Sequence, residues 1–212
     1  MVRVKICGIT RPADGLAAAE AGADAIGLVF AKSPRQITVS RARQIIAALP
    51  PWIGRVGVFV NAKANLIERA VDLLALTEIQ IHGEESLRQI RALPRIPIIK
   101  ALRVRDHSFV DDMARWRDAG AAGILLDAFS PRARGGVGRQ FDWSFVVQAR
   151  NRGGIEGMPP IILAGGLNAQ NIRSAIRTVR PWGVDVSSGV ESEPGIKSHA
   201  LIKRFIAAAR SA

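Results

Sequence analysis

Cys7 stands near the end of the strand-like run Arg3–Ile9, and Asp127 stands at the end of the apolar run Gly-Ile-Leu-Leu that begins at Gly123. A thiol becomes a base or nucleophile once it is ionised, and a carboxyl group serves as general acid or base. Burying a carboxylate without a partner is costly, so Asp127 implies either chemistry or an interior ion pair. For Cys7 the competing reading is a small buried hydrophobe, the commonest fate of a free cysteine. His82 ends another strand-like run, where it can line a pocket or polarise a substrate oxygen. His107 and His199 fall at exposed loop or helix-start positions. The histidines therefore do not cluster at ligand spacing, and a metal site is not expected.

Two glycine-containing turns supply the other half of a site. Gly165 and Gly166 lie in Leu163-Ala164-Gly165-Gly166-Leu167, and Ser187, Ser188 and Gly189 lie in Asp185-Val186-Ser187-Ser188-Gly189-Val190. Glycine lets the backbone approach an anion closely, and serine hydroxyls add donors. A third run, Gly135-Gly136-Val137-Gly138, is followed by no Lys-Ser/Thr pair and is not a P-loop. It reads as a loop beside the site, with Arg132 and Arg134 just before it.

The elements that must position these residues alternate along the whole chain. Strands are expected at Arg3–Ile9, Ala25–Phe30, Arg55–Val60, Glu78–His82, Ile98–Arg103, Gly123–Ala128, Pro160–Ala164 and Val184–Ser188. Helices are expected at Pro12–Ala21, Ser40–Leu49, Ala64–Leu74, Glu84–Leu93, Phe109–Ala119, Trp143–Arg150, Ala169–Val179 and Ser198–Ala209. Strict strand-then-helix order calls for parallel strands joined by helical crossovers. No glycine fingerprint of a dinucleotide fold follows the first strand, so a closed (β/α)8 barrel is preferred, in one domain spanning residues 1–212. Pro12 suits a first helical position, Ser40 and Ser198 suit N-caps, and the glycines at 22 and 120 suit helix ends.

In such barrels the active site lies at the C-terminal ends of the strands, and the loops after the seventh and eighth strands commonly hold a phosphate. Both glycine turns fall at those two positions, which favours a phosphorylated ligand. Alternation along a strand aims the side chains: Arg3, Lys5 and Cys7 face the interior, as do Leu125 with Asp127, and Asp185 with Ser187. Lys5 and Asp185 can then form an interior ion pair.

Composition narrows the class. The chain has 212 residues, 48% hydrophobic, with one cysteine and a formal charge of +12. One cysteine excludes an intramolecular disulfide, and a reduced, cytoplasmic setting is the simplest expectation. No apolar run has membrane-spanning length. The excess arginine is scattered rather than striped with aromatics, which speaks against a nucleic-acid surface and for a solvated basic surface that attracts anions.

Several runs, in order along the chain, resemble the phosphoribosylanthranilate isomerase family. They are Lys5-Ile6-Cys7-Gly8-Ile9-Thr10, Gly27-Leu28-Val29-Phe30 with Ser33-Pro34-Arg35, Val58-Phe59-Val60-Asn61, and Gln80-Ile81-His82-Gly83. Leu126-Asp127, Phe141-Asp142-Trp143, Leu163–Asn168 and Gly183–Glu191 complete the series. The resemblance implies an Amadori rearrangement of N-(5-phosphoribosyl)anthranilate in tryptophan biosynthesis, without metal or organic cofactor. It implies Asp127 as the acid on the ring oxygen and Cys7 as the base at ribose C2. It further implies Arg35 on the anthranilate carboxylate, Gln80 and His82 as substrate contacts, and the two glycine loops on the phosphate. The implied partner is a small phosphosugar, not nucleic acid or membrane, for a monomer or homodimer. Lys5, Arg35 and the basic balance are expected to favour the Cys7 thiolate. Val137 departs from the family, which usually has a hydroxyl residue there.

Other phosphosugar barrels fit less well. An epimerase is expected to need metal-binding histidines, and a bifunctional isomerase to carry aspartate where Cys7 stands. A non-catalytic anion- or RNA-binding barrel is the rival from another class.

Overall fold

The run of alternating elements closes on itself in the computed structural model, which describes residues 1–90, 93, 95–128 and 141–212. The strands are β1 (Arg3–Cys7), β2 (Ala25–Val29), β3 (Gly54–Phe59), β4 (Glu78–Ile81), β5 (Ile98–Val104), β6 (Gly123–Ala128), β7 (Ile161–Leu163) and β8 (Gly183–Val186). They pair in chain order, all parallel, and β8 returns to β1 through Arg3↔Gly183 to Ile6↔Val186. The expected barrel is therefore the observed one.

Helices α1 (Pro12–Glu20), α2 (Val39–Ala47), α3 (Ala64–Leu74), α4 (Leu87–Ile90), α5 (Phe109–Asp118), α6 (Ser144–Asn151), α7 (Ile172–Val179) and α8 (His199–Arg210) pack outside. In α7 the buried residues Ile172, Ala175 and Val179 recur at helical spacing, and each large side chain so buried contributes about 1.5–3 kcal/mol. α1 begins at Pro12, as expected. Ser198 caps α8, its hydroxyl accepting from the Leu201 N–H. Thr38, not Ser40, caps α2: its Oγ1 accepts from the Arg41 N–H at 3.1 Å, so the helix starts earlier than expected. Gly22 and Gly120 have φ of +94° and +86°, as helix-ending glycines should.

Strand alternation divides the core into two layers. Val4, Ile6, Ile124, Leu126, Val184 and Val186 face the helices, while Val56, Ile99, Ala101, Leu125 and Ile162 fill the barrel. The assignments of side-chain direction made for β1, β6 and β8 hold.

Two features have no counterpart in the expected elements. After β8 comes a single 3-10 turn, Ser188–Val190, then a short antiparallel pair, β9 (Glu191–Glu193) and β10 (Ile196–Lys197). The pair is tied down at the fully buried Asp14 carboxylate. That group accepts from Arg11 at 2.9 and 2.8 Å and from the Lys197 N–H at 3.2 Å, with His199 Nε2 at 3.0 Å. His199, the first residue of α8, is exposed as expected although its ring reaches Asp14, whereas His107 is half-buried and meets Phe145 edge-on at 5.0 Å. Among the described residues no group of His, Cys, Asp and Glu is arranged to hold a metal. Nor is any described helix long and apolar enough to cross a membrane.

Candidate active site

Cys7 ends β1 on the barrel's interior side and is 8% exposed. Its space is created by a neighbour in register, Gly27, where a Cβ would stand 2.7 Å from the Cys7 sulfur. Below it, Lys5 Nζ donates to Asp185 Oδ1 at 2.9 Å and to Gln80 Oε1 at 3.0 Å. The anticipated Lys5–Asp185 pair is present, and Gln80 joins it. Gln80 is 1% exposed and its carbonyl oxygen is taken by Lys5, so the structure places it beneath the mouth, in the network that carries Cys7.

Charge and burial compete at the thiol. Burial pushes the Cys7 pKa up, Lys5 pulls it back, Asp185 adds to the rise and Lys197 opposes it; the net direction is upward. This corrects the expectation that a basic mouth makes Cys7 readily a thiolate: the cations are present, but desolvation outweighs them. For Lys5 burial alone would disfavour the ammonium, yet Asp185 and Cys7 prevail and its pKa rises.

Asp127 lies on the interior side of β6 and is 6% exposed. Its Oδ1 accepts from the Ala128 N–H at 2.8 Å, and its Oδ2 stands 3.3 Å from His82 Nε2. The ring nitrogen is close but not aligned, and this buried atom has no hydrogen-bond partner among the described residues. A carboxyl oxygen and an imidazole nitrogen therefore meet at the mouth with capacity to spare. Gly165, at φ +82°, presses against this corner: a Cβ there would lie 2.6 Å from the Ala128 nitrogen and 3.1 Å from Asp127 Oδ1.

The loops after β7 and β8 touch each other. A Cβ on Gly189 would come 1.9 Å from the Leu167 carbonyl oxygen, so only glycine permits the contact. Gly165 and Gly166 both take positive φ, and Ser187, Ser188 and Gly189 enter the 3-10 turn. The result is a run of backbone N–H groups in the sector between Asp127 and Cys7, since β7 and β8 separate β6 from β1. Loops of this kind suit an anion.

Arg35 sits beside this sector. Its Nε and Nη2 donate to Glu191 Oε1 and Oε2 at 2.7 and 2.6 Å, and it packs where a Cβ on Gly8 would fall. Glu191 also receives Lys197 Nζ at 2.8 Å, and Lys197 reaches the Ser187 carbonyl at 3.0 Å. Burial alone would raise the Glu191 carboxyl, but Arg35 and Lys197 hold it below the usual carboxylate range; burial lowers Lys197. One edge of the Arg35 fork is thus committed within the protein. Glu191 and Lys197 carried no expected role; the signal in the sequence was the presence of charges immediately after the serine-glycine loop. The Gly135–Gly138 loop, with Arg132, Arg134 and Val137, lies outside the described residues.

Residues 4–208 match the family model described as N-(5'phosphoribosyl)anthranilate (PRA) isomerase. An N-(5'-phosphoribosyl)anthranilate isomerase of Pseudomonas fluorescens is 50% identical over 212 residues, covering 99% of this chain and 98% of the relative. The solved phosphoribosyl anthranilate isomerase of Thermotoga maritima is 44% identical, with a TM-score of 0.89 and full coverage of both chains. A phosphoribosyl anthranilate isomerase crystallised with reduced 1-(o-carboxyphenylamino)-1-deoxyribulose 5-phosphate is 43% identical, with a TM-score of 0.86 and full coverage of both.

Proposed function

Because this chain belongs to the N-(5'-phosphoribosyl)anthranilate isomerase family, we propose that it performs that isomerisation with Asp127 as acid and Cys7 as base. The reaction converts N-(5-phosphoribosyl)anthranilate to 1-(2-carboxyphenylamino)-1-deoxyribulose 5-phosphate, a step of tryptophan biosynthesis. Asp127 gives a proton to the furanose ring oxygen, the C1–O bond breaks, and nitrogen supplies the electrons to form the Schiff base. Cys7 then removes the C2 proton, and the electron pair released flows toward nitrogen to give the enol. Protonation at C1 and loss of the enol proton complete the ketose.

The observation that carries this reading is the placement of the two groups. An interior-facing thiol ends β1 and an interior-facing carboxyl ends β6, with the glycine loops of β7 and β8 along the arc between them. A phosphate held by Gly165, Gly166, Ser187, Ser188 and Gly189 leaves the sugar carbons within the mouth, between acid and base. His82 borders the ring-oxygen side through Asp127. Arg35 contacts the substrate with the edge of its fork that Glu191 leaves over, and Gln80 acts from beneath. The partner is a small phosphosugar, and a reducing, cytoplasmic compartment keeps the lone thiol usable. Each proton-transfer group is expected to supply about 10²–10⁴ in rate.

Loss of substrate fluorescence tests it, with substrate made in situ from anthranilate and phosphoribosyl pyrophosphate and EDTA present. Wild type is expected to consume substrate rapidly, and Cys7→Ala and Asp127→Asn to be folded but slowed by about 10²–10⁴. A folded, inactive wild type would overturn the reading; a fast Cys7→Ala would overturn the base.

A further inference from the structure

The reaction as assigned gives no task to a lysine that the fold buries completely beside the phosphate loops. Lys197, on β10, has a side chain with 0% exposure, against 6% for Lys5 and 4% for Lys100. Its Nζ donates to the Ser187 carbonyl oxygen at 3.0 Å, to Ser187 Oγ at 3.4 Å and to Glu191 Oε1 at 2.8 Å. Three oxygens thus take the three donors of an ammonium. The backbone on either side fixes it there. The Lys197 N–H reaches the buried Asp14, its carbonyl accepts from Arg11 at 3.4 Å, and the following Ser198 N–H bonds the Val190 carbonyl at 2.9 Å.

Charge does not balance around it. Lys5 is matched by Asp185 and Arg11 by Asp14, whereas Arg35 and Lys197 share the carboxylate of Glu191. Two cations on one carboxylate leave a unit of positive charge in a cluster of buried side chains. An uncompensated buried charge is costly, and a phosphate monoester, at about −1.5 to −2 near neutral pH, answers it. Lys197 meets that anion through a peptide rather than by touching it. Its bond to the Ser187 carbonyl polarises the Ser187–Ser188 peptide, whose N–H stands at the other end with no hydrogen-bond partner among the described residues. A bond at the oxygen strengthens the donor at the nitrogen.

We infer that Lys197 is a positioning residue of the phosphate site, holding and polarising the Ser187–Ser188 peptide from behind so that its N–H faces the anion as a strong donor. The inference rests on the isomerase reading above. Glu191, bound to Lys197 and to Arg35 alike, ties the phosphate loop of β8 to the arginine after β2.

The test measures the affinities of reduced 1-(2-carboxyphenylamino)-1-deoxyribulose 5-phosphate and of its dephosphorylated form by calorimetry. The proteins are wild type, Lys197→Met, and the double variant Lys197→Met with Glu191→Gln. The ratio of the two affinities should fall about tenfold in Lys197→Met, the worth of one hydrogen bond. The double variant removes one charge of each sign and so restores the net charge of the cluster, yet its ratio should stay as low. At saturating phosphorylated analogue, the Ser188 amide proton should lie less far downfield in Lys197→Met than in wild type. An unchanged ratio, an unchanged Ser188 shift, or recovery of the ratio in the double variant would each overturn the inference. A wild type that binds the phosphorylated reduced product analogue no better than its dephosphorylated form would instead bring down the isomerase reading, so the two failures are distinguishable. Melting temperatures of the same samples report any folding defect, and the double variant answers the question if Lys197→Met alone does not fold.

Discussion

The two ends of the barrel use the same strands but differ in what surrounds their polar groups. At the N-terminal floor a cavity of about 360 Å³ opens among Val56, Ile99, Ile162, Gly54, Gly123 and Trp182, roofed by Lys5. Most charges at this end are answered: Arg3 and Arg210 both meet Asp24, whose second oxygen also takes the Val4 N–H, and Glu78 is hydrogen-bonded by Thr77, while Arg55 Nε on β3 is buried without a hydrogen-bond partner among the described residues. At the mouth, His82 Nε2 and Arg103 have no hydrogen-bond partner among the described residues, beside a buried thiol and a carboxyl. Apolar lining alone would send a ligand to the floor. Unanswered polar groups beside the thiol and the carboxyl favour the mouth, because a buried polar group without a partner calls for an explanation that a bound ligand supplies there. Between the ends, the Lys5–Asp185–Gln80 network separates an apolar cavity from the chemistry above it.

That network is where the contrast breaks most severely. Lys5→Met leaves Asp185 and Gln80 buried without their cation, and thermal denaturation should show a loss of about 3–5 kcal/mol. The same change removes the group that pulls the Cys7 thiol down, so residual activity should move to higher pH. A smaller loss follows at the loops. Gly189→Ala drives a methyl group into the Leu167 carbonyl, costing about 1–3 kcal/mol, and it should appear as a raised KM for the phosphosugar.

The pH profile sharpens the account of the base. Because burial raises the Cys7 pKa above that of an ordinary thiol, the thiolate is a minor form at neutral pH. Below that pKa its population grows about tenfold per pH unit. The rate of the chemical step should therefore climb from neutral into alkaline pH without a plateau before the ordinary thiol range near ~8.5, read by single-turnover fluorescence. The smallest effect belongs to the floor: Arg3→Ala removes one exposed partner of Asp24 while Arg210 remains, and should change stability by under about 1 kcal/mol with kcat unaltered.

Much of this was legible in the sequence, and what was missed has a physical pattern. α3 at Ala64–Leu74 and β6 at Gly123–Ala128 match their expected bounds, since periodicity and a doubly buried apolar run speak for themselves. Strand ends were overshot at Gly8, Ile9, Phe30, Val60, His82, Ala164, Ser187 and Ser188, where the chain leaves the ladder to build the loops that carry the site. α7 was expected from Ala169 but begins at Ile172, because Asn168 Oδ1 accepts from the Gln170 and Asn171 N–H groups and holds a turn instead. α4 begins at Leu87 rather than Glu84, since Glu85 spends its carboxylate on the Asn61 and Gly83 N–H groups and on Lys100. The β9–β10 pair is short and polar, with Pro194-Gly195 at its turn, and owes its place to contacts far along the chain. Cys7, Asp127 and the glycine loops were visible because strand-end position and residue type coincide. Gly27, Glu191, Lys197 and the raised thiol were not, because each depends on what packs against it.

The central claim is that Cys7 at the mouth removes the C2 proton, and a substrate carrying deuterium at ribose C2 tests it most directly. In single turnovers the wild-type decay should slow on deuteration, and Cys7→Ala should lose nearly all of the decay with either substrate while still binding the reduced product analogue. A wild-type chemical step indifferent to the label, or a Cys7→Ala decay that keeps the wild-type rate, would contradict the account.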